Sequence, residues 1–267
     1  MLIMSTEGDF HMLRMGSVIP KLLLVPTVCL AVTSIGWSAD DKSDDSKNQS
    51  DIEKRIDNSA KVLDEIMAVK DKAIPDKVMS GAKCIAVVPS MVKIAIGFGG
   101  NHGKGVATCR TAEGWSALAP ITITGGSWGL QLGGQAVDLV MVIMNQQGMD
   151  HLLSSKFKVG ADASAAAGPV GRDAAADTDI KMRAELLTYS RARGVFAGID
   201  LSGAVVTQDK DETRLLYGKF EPFSDLLNGK VRPTSNSEAF LSTVRKYSLQ
   251  SREGKETTTS ENGPGTK

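Results

Sequence analysis

The sequence predicts an α+β domain: a Gly-rich, mainly antiparallel twisted sheet or partial barrel, with an N-terminal amphipathic helix and a mid-chain helix. Three observations carry this. Ile52, Ile56, Leu63, Ile66 and Met67 recur at helical spacing. From Cys84 to Met144, short β-branched runs alternate with glycine and polar punctuation, the pattern of successive strands. The chain holds 27 glycines and only 5% aromatic residues, and its densest small-residue passages, GADASAAAGPVGRD and SRARGVFAGIDLSG, lie between Gly160 and Gly203. Such density means tight turns or close backbone approach.

Charge narrows the function classes. Lys plus Arg number 31, matching 31 Asp plus Glu in 267 residues. That balance argues against nucleic-acid binding through bulk electrostatics. With both ends trimmed, roughly 200 residues remain, enough for one well-buried core or two small ones.

Met1 to His11 carries Glu7 and Asp9 and resembles no targeting segment. From Met12 onward, Arg14 and Lys21 precede an uncharged apolar run, Leu22 to Ile35, which ends in Gly36-Trp37-Ser38-Ala39 before acidic sequence. This is the layout of a secretory signal peptide, assigned to residues 1–39 with possible starts at Met12 or Met15. It predicts a periplasmic or secreted protein. The alternative is an inner-membrane anchor through residues 22–39, just long enough to span. Cys29 follows Pro26-Thr27-Val28, which does not resemble a lipoprotein acylation box. Residues 40–50, DDKSDDSKNQS, contain no apolar residue and predict a disordered linker.

Ser50-Asp51-Ile52-Glu53 forms a capping box that opens the first helix. The helix is expected to run to about Asp71. After a break at Ile74-Pro75, a short second helix covers Asp76 to Ser80. The apolar face of the first helix has two candidate destinations: the domain's own sheet, or a membrane interface. Lys61, Lys70, Lys72, Lys77 and Lys83 lie along or just after it and are placed to meet lipid phosphates, with Asp64, Glu65, Asp71 and Asp76 interleaved.

Cys84 to Val88 predicts a buried strand ended by Pro89, and Val92 to Gly97 a second. In GFGGNHGKGVATCR, His102 occupies the sixth position of a dinucleotide fingerprint counted from Gly97, so that motif fails. A P-loop fails too, because Gly105 follows Lys104 where Ser or Thr is required. Strands joined by tight glycine turns are the expectation. Further strands are predicted at Gly105–Arg110, Trp115–Leu118, Ile121–Thr124, Ser127–Gly133 and Val137–Met144. Asp138 interrupts the last and is read as paired by backbone donors. Asn145 is placed to cap a helix through Ser154. Cys84 and Cys109 are either a disulfide or two separate buried side chains, since spacing supplies no Cα distance.

Phe157 to Ala167, Ile180 to Ser190 and Val195 to Val206 are expected to be extended. Arg172, Arg191 and Arg193 are candidates for an anion-binding cluster, or for structural pairing with Asp162, Asp173 or Asp200. His102 and His151 are read as surface or satisfied residues. With no histidine near Ser190, no nucleophile is assigned, and neither catalytic residues, metal ligands nor a cofactor is expected. Pro222–Asn228 and Glu238–Tyr247 predict short helices that close a domain of residues 51–248, before a disordered tail at 249–267.

The passages GFGGNHGKGV, GWSAL, GLQLGGQAVDLV, VGADASAAAGPVGRD, YSRARGVFAGIDLSGA and LLYG closely resemble the SYLF lipid-binding domain family, which includes an actin-binding yeast protein. The likeness covers Asp51 to Gly218. It implies a phosphoinositide- or acidic-lipid-binding module whose N-terminal amphipathic helix contributes to membrane contact. Eukaryotic relatives attach SH3 or FYVE modules; this chain looks like the secreted, stand-alone bacterial branch. The expected function is therefore non-catalytic binding to anionic phospholipid headgroups at a membrane surface of the bacterial envelope. Ile52, Ile56, Leu63, Ile66, Met67, Lys70, Lys72, Lys77, Arg172, Arg191 and Arg193 are its candidate contact residues. The alternative is a scaffold that offers the apolar helix face to an envelope protein partner.

Overall fold

The computed structural model describes residues 41–69, 73–96, 98–128, 133–170, 184–192, 195–197 and 201–261. The signal-peptide or anchor segment lies outside them. Helices α1 (Asp41–Ala68) and α2 (Asp76–Gly81) come first, then strands β1 (Cys84–Ile96), β2 (Phe98–Thr111), β3 (Gly114–Trp115), β4 (Ala119–Trp128) and β5 (Gly133–Ile143). Helix α3 (Gln146–Leu153) leads to β6 (Lys156–Lys158), β7 (Ala165–Ala167), β8 (Leu186–Ala192), β9 (Val195–Ala197) and β10 (Val205–Gln208). Helices α4 (Lys210–Tyr217), α5 (Phe223–Leu227) and α6 (Glu238–Glu261) follow.

The strands make one curled, mostly antiparallel half-barrel in the order β6-β10-β4-β2-β1-β5-β8-β7, with β3 beside β2 and β9 beside β8. Among the described strands, β7 and β8 are the pair that runs parallel. Alternate strand residues point to opposite faces, and along the central part of the sheet both faces are covered. Ala86, Val88, Ala107, Ile121 and Leu139 face α3 and α5, with Phe223 and Leu226 buried among them. Ile85, Val87, Val106, Val140 and Val142 face α1, α2 and α6. Two-sided burial explains why CIAVV and VMVI read as continuous apolar runs.

Beta1 does not end at Pro89. Ser90 adopts φ 52° at an irregularity between Val87 and Val92, and the strand resumes. The Ser90 N–H donates to Asp138 Oδ1 at 2.9 Å, so the carboxylate in the apolar β5 run is held by a backbone donor, as expected. Beta2 differs from expectation more strongly: its glycines lie in one 14-residue strand rather than in turns. A Cβ at Gly105 would lie 2.1 Å from the Val87 carbonyl oxygen, and one at Gly103 2.6 Å from Val88 Cγ1. Those glycines are required by lack of room between strands and not by backbone conformation.

Cys84 and Cys109 are register partners on β1 and β2 and form a disulfide. The expected alternative of two separate side chains is thereby corrected. Asn145 caps α3 as predicted, its Oδ1 accepting from the Gly148 N–H at 2.9 Å.

Both ends of the domain are more helical than the sequence suggests. Helix α1 begins at Asp41, inside the stretch expected to be a linker, and α6 continues to Glu261, through part of the expected tail. Neither extension contains proline, and extending an existing helix avoids the cost of nucleation. Of Trp115–Leu118 only Trp115 lies in a strand, as the second residue of β3. The Val195–Val206 segment carries two strands, β9 and β10.

Candidate binding surface

The apolar stripe of α1 is not a surface. Ile52, Ile56, Leu63 and Ile66 are each 0% exposed and pack with Phe240 and Val244 of α6 and with Ile85, Val87 and Val140 of the sheet. Met67 is half-buried against the same cluster. The amphipathic pattern is real, but its partner is the domain's own core. As a membrane- or partner-facing stripe these five residues are therefore corrected. Burying each large aliphatic chain contributes about 1.5–3 kcal/mol, which holds the helix on the sheet.

Polar contacts rim that stripe. Arg55 pairs with Glu212 of α4, and Glu65 with Arg191 of β8. Asp64 accepts from the Tyr247 hydroxyl at 2.7 Å, and Glu53 from Asn236 at 2.8 Å. Arg191 also donates to Asp138 at 2.9 Å. Burial disfavours the Arg191 charge, but the two carboxylates outweigh it and push its pKa up. Arg191 is thus a structural bridge between β8, β5 and α1 and not an open anion site. Its acids among the described residues are Glu65 and Asp138 and not the expected Asp162, which accepts from the Lys158 N–H instead; Asp173 and Asp200 lie outside the described residues. Arg172, Arg193, Lys70 and Lys72 lie outside the described residues. Lys77 is exposed on α2, on a different element from Arg191.

A second network went unrecognised in the sequence. Lys104 of β2 reaches Asp209 Oδ2 at 2.7 Å and Glu212 Oε1 at 3.0 Å. Asp209 caps α4 by accepting from the Glu212 N–H at 3.0 Å, and Thr122 donates to it at 3.1 Å. Burial works against the Asp209 charge, yet the Lys104 ammonium and these donors hold its pKa below the usual carboxylate range. The signal for the cap was present as Asp209-x-x-Glu212, a capping pattern; the lysine partner was not legible. His151 lies 3.5 Å from Glu185, which also accepts from Ser164 at 3.2 Å. No group of three or more potential metal ligands occurs among the described residues.

Among the described residues, no helix covers one part of the sheet on the face that carries α1. Register aligns Lys158, Val205, Thr124, His102 and Val92 across β6, β10, β4, β2 and β1. Lys156, Lys158, Thr124 and His102 are exposed, and Val92 is 46% exposed. Beyond this row, a Cβ added at Gly100, Gly126 or Gly134 would meet nothing closer than 3.7 Å. His102 Nδ1 and Thr124 Oγ1 are 3.3 Å apart.

Residues 124–247, from β4 into α6, match the Ysc84 family, described as Las17-binding protein actin regulator. The chain contains a Ysc84 (SYLF) domain. It is 30% identical over 204 residues to the SH3 domain-containing YSC84-like protein 1 of Xenopus laevis, covering 72% of this chain and 61% of the frog protein. It is 30% identical over 167 residues to LAS seventeen-binding protein 3 of Saccharomyces cerevisiae, covering 61% of this chain and 36% of the yeast protein. The human SH3 domain-containing YSC84-like protein 1 is 27% identical over 196 residues, covering 71% and 57%. The chain thus spans less than two thirds of the length of each of these relatives. Their names describe binding and adaptor proteins rather than enzymes.

Proposed function

We propose that this SYLF domain is a non-catalytic module that binds an anionic membrane surface in the bacterial envelope. The observation that carries the reading is the match to a family described by binding. The exposed cations of β6 agree with an anionic ligand. The Cys84–Cys109 disulfide suits an oxidising compartment, in line with the secretory layout of the first 39 residues. Because the α1 stripe is buried, contact in this reading uses a different surface. Headgroup specificity is not carried over from eukaryotic relatives.

The test is co-sedimentation of the purified protein with phosphatidylglycerol-containing vesicles and with phosphatidylcholine vesicles, alongside cell fractionation. Salt-sensitive binding to the anionic vesicles and recovery from the periplasm or medium are expected. Absence of binding to either vesicle, or recovery from the cytoplasm, would reject the reading. A second reading, a protein-binding scaffold, is favoured by the family description "Las17-binding". Stoichiometric recovery of one envelope protein by cross-linking, without vesicle binding, would select it.

A further inference from the structure

We propose that the sheet face left open beyond α1, from Lys156 and Lys158 on β6 to Val92 on β1, is the surface that meets an anionic phospholipid bilayer. This placement rests on the membrane reading above, but it can fail separately.

The argument starts from alternation. Phe157 is buried on the α3–α5 side of the sheet, so Lys156 and Lys158 both project to the opposite face. The same parity holds on the neighbouring strands. Val206, Ile123 and Met91 are buried on the α3–α5 side, which leaves Val205, Thr124 and Val92 on the other. Register therefore forms two rows on one face: Lys156–Thr207–Thr122–Lys104, and Lys158–Val205–Thr124–His102–Val92.

Helix α1 marks the boundary of this face. Its Arg55 and Glu65 reach Glu212 and Arg191, the latter bound to Asp138 on β5. The apolar core lies on one side of that line, and on the other the strand ends continue with no helix over them among the described residues.

Charge and polarity then select the occupant. Among the described residues, the ammonium groups of Lys156 and Lys158 make no salt bridge; the Asp162 carboxylate accepts from the Lys158 backbone N–H at 2.6 Å, and the second row itself contains no acid. Lys104, in the first row, is already neutralised by Asp209 and Glu212. Toward β1 the character changes to Val92, 46% exposed, above the open glycine positions 100, 126 and 134. Cations on one flank and an accessible aliphatic chain on the other match a headgroup layer over acyl chains. A soluble anion would be served by the cations alone.

A competing role exists for the lysines. Beta6 is an edge strand, and edge lysines discourage pairing with other chains. That role predicts aggregation on charge removal, with no change in vesicle binding.

The experiment compares variants of the whole protein as purified, each with the same N terminus by mass spectrometry, for binding to phosphatidylglycerol-containing vesicles. Lys156→Glu/Lys158→Glu is expected to weaken binding at least about tenfold with an unchanged melting temperature. Lys156→Arg/Lys158→Arg should bind as wild type. Val92→Asp should weaken binding at least about threefold, and Lys54→Glu/Lys61→Glu, on the outer side of α1, should leave it within about twofold. If charge reversal lowers the melting temperature, Lys156→Gln/Lys158→Gln carries the comparison. Undiminished binding by the folded β6 variant, or equal loss in the arginine or α1 variant, would overturn the placement. Failure of the wild type itself to bind anionic vesicles would reject the membrane reading on which it rests.

Discussion

Lys104 Nζ lies 2.7 Å from Asp209 Oδ2, joining the middle of β2 to the N-cap of α4 across more than a hundred residues of chain. Through Glu212 the same cluster reaches Arg55, so it also ties down α1. Asp209→Ala removes the cap and one of the two acids that neutralise Lys104. It should cost about 2 kcal/mol in urea unfolding. A change below about 0.5 kcal/mol would show that water replaces these contacts without loss.

The same carboxylate makes an acid-limb prediction. The folded pKa of Asp209 is depressed below its ordinary 3.8. Its contribution is therefore fully present above the unfolded value and is lost as pH falls through the lower, folded value. Asp209→Asn should be less stable than wild type at neutral pH, and the gap should narrow below about pH 4. A gap of constant size down to pH 2, measured by denaturant unfolding, would assign the effect to shape rather than charge.

Two glycines in one strand should respond in opposite ways. Gly105→Ala sets a methyl group against the Val87 carbonyl, 2.1 Å away, and should destabilise by about 3 kcal/mol. At Gly100 the nearest atom would be 3.7 Å away, so Gly100→Ala should be neutral or stabilise by up to about 1 kcal/mol. Equal costs at both positions would mean that β2 needs glycine for conformation and not for space.

These glycines show where sequence reading stops. A glycine needed for a left-handed turn and one needed because another strand passes close by are identical as letters, so β2 reads as turns. The Asn145 cap was legible because all its parts lie within four residues. Period gave α1 an apolar face, but period does not say what covers it; α6, which does, lies some 180 residues later in the chain. The open face has the same character. Lys156 and Val92 are far apart in sequence, and only the order β6-β10-β4-β2-β1 puts them on one surface. Arg191 was legible as a functional or structural cation, whereas its bridge to Glu65, 126 residues away, was not.

The disulfide closes a loop across a sequence separation of 25 residues, between β1 and β2. Both cysteines are fully buried, so the bond acts on stability and not as a surface thiol pair. Chain-entropy arguments give about 3 kcal/mol for a loop of this size. Cys84→Ser/Cys109→Ser should lose about that much by urea unfolding, and reductant should lower the wild-type midpoint without affecting the variant's. Identical wild-type midpoints with and without reductant, under conditions that reduce the unfolded chain, would remove the disulfide from the stability argument.

The burial of α1 makes the most direct prediction. If Leu63 belongs to the core, Leu63→Ala creates a cavity beneath α6 and should cost about 3 kcal/mol. Lys61, two residues earlier and exposed, should tolerate alanine within about 0.5 kcal/mol. Ile56→Asp buries a carboxylate against aliphatic neighbours and should unfold the domain, visible as loss of the cooperative thermal transition. Any vesicle binding it loses would then follow from unfolding. A fully folded Ile56→Asp protein, with wild-type melting temperature and no vesicle binding, would show instead that the stripe leaves the core to engage lipid. The energetic objection is that undocking α1 exposes both its own buried aliphatic side chains and the sheet face beneath them, while a bilayer can bury only the helix.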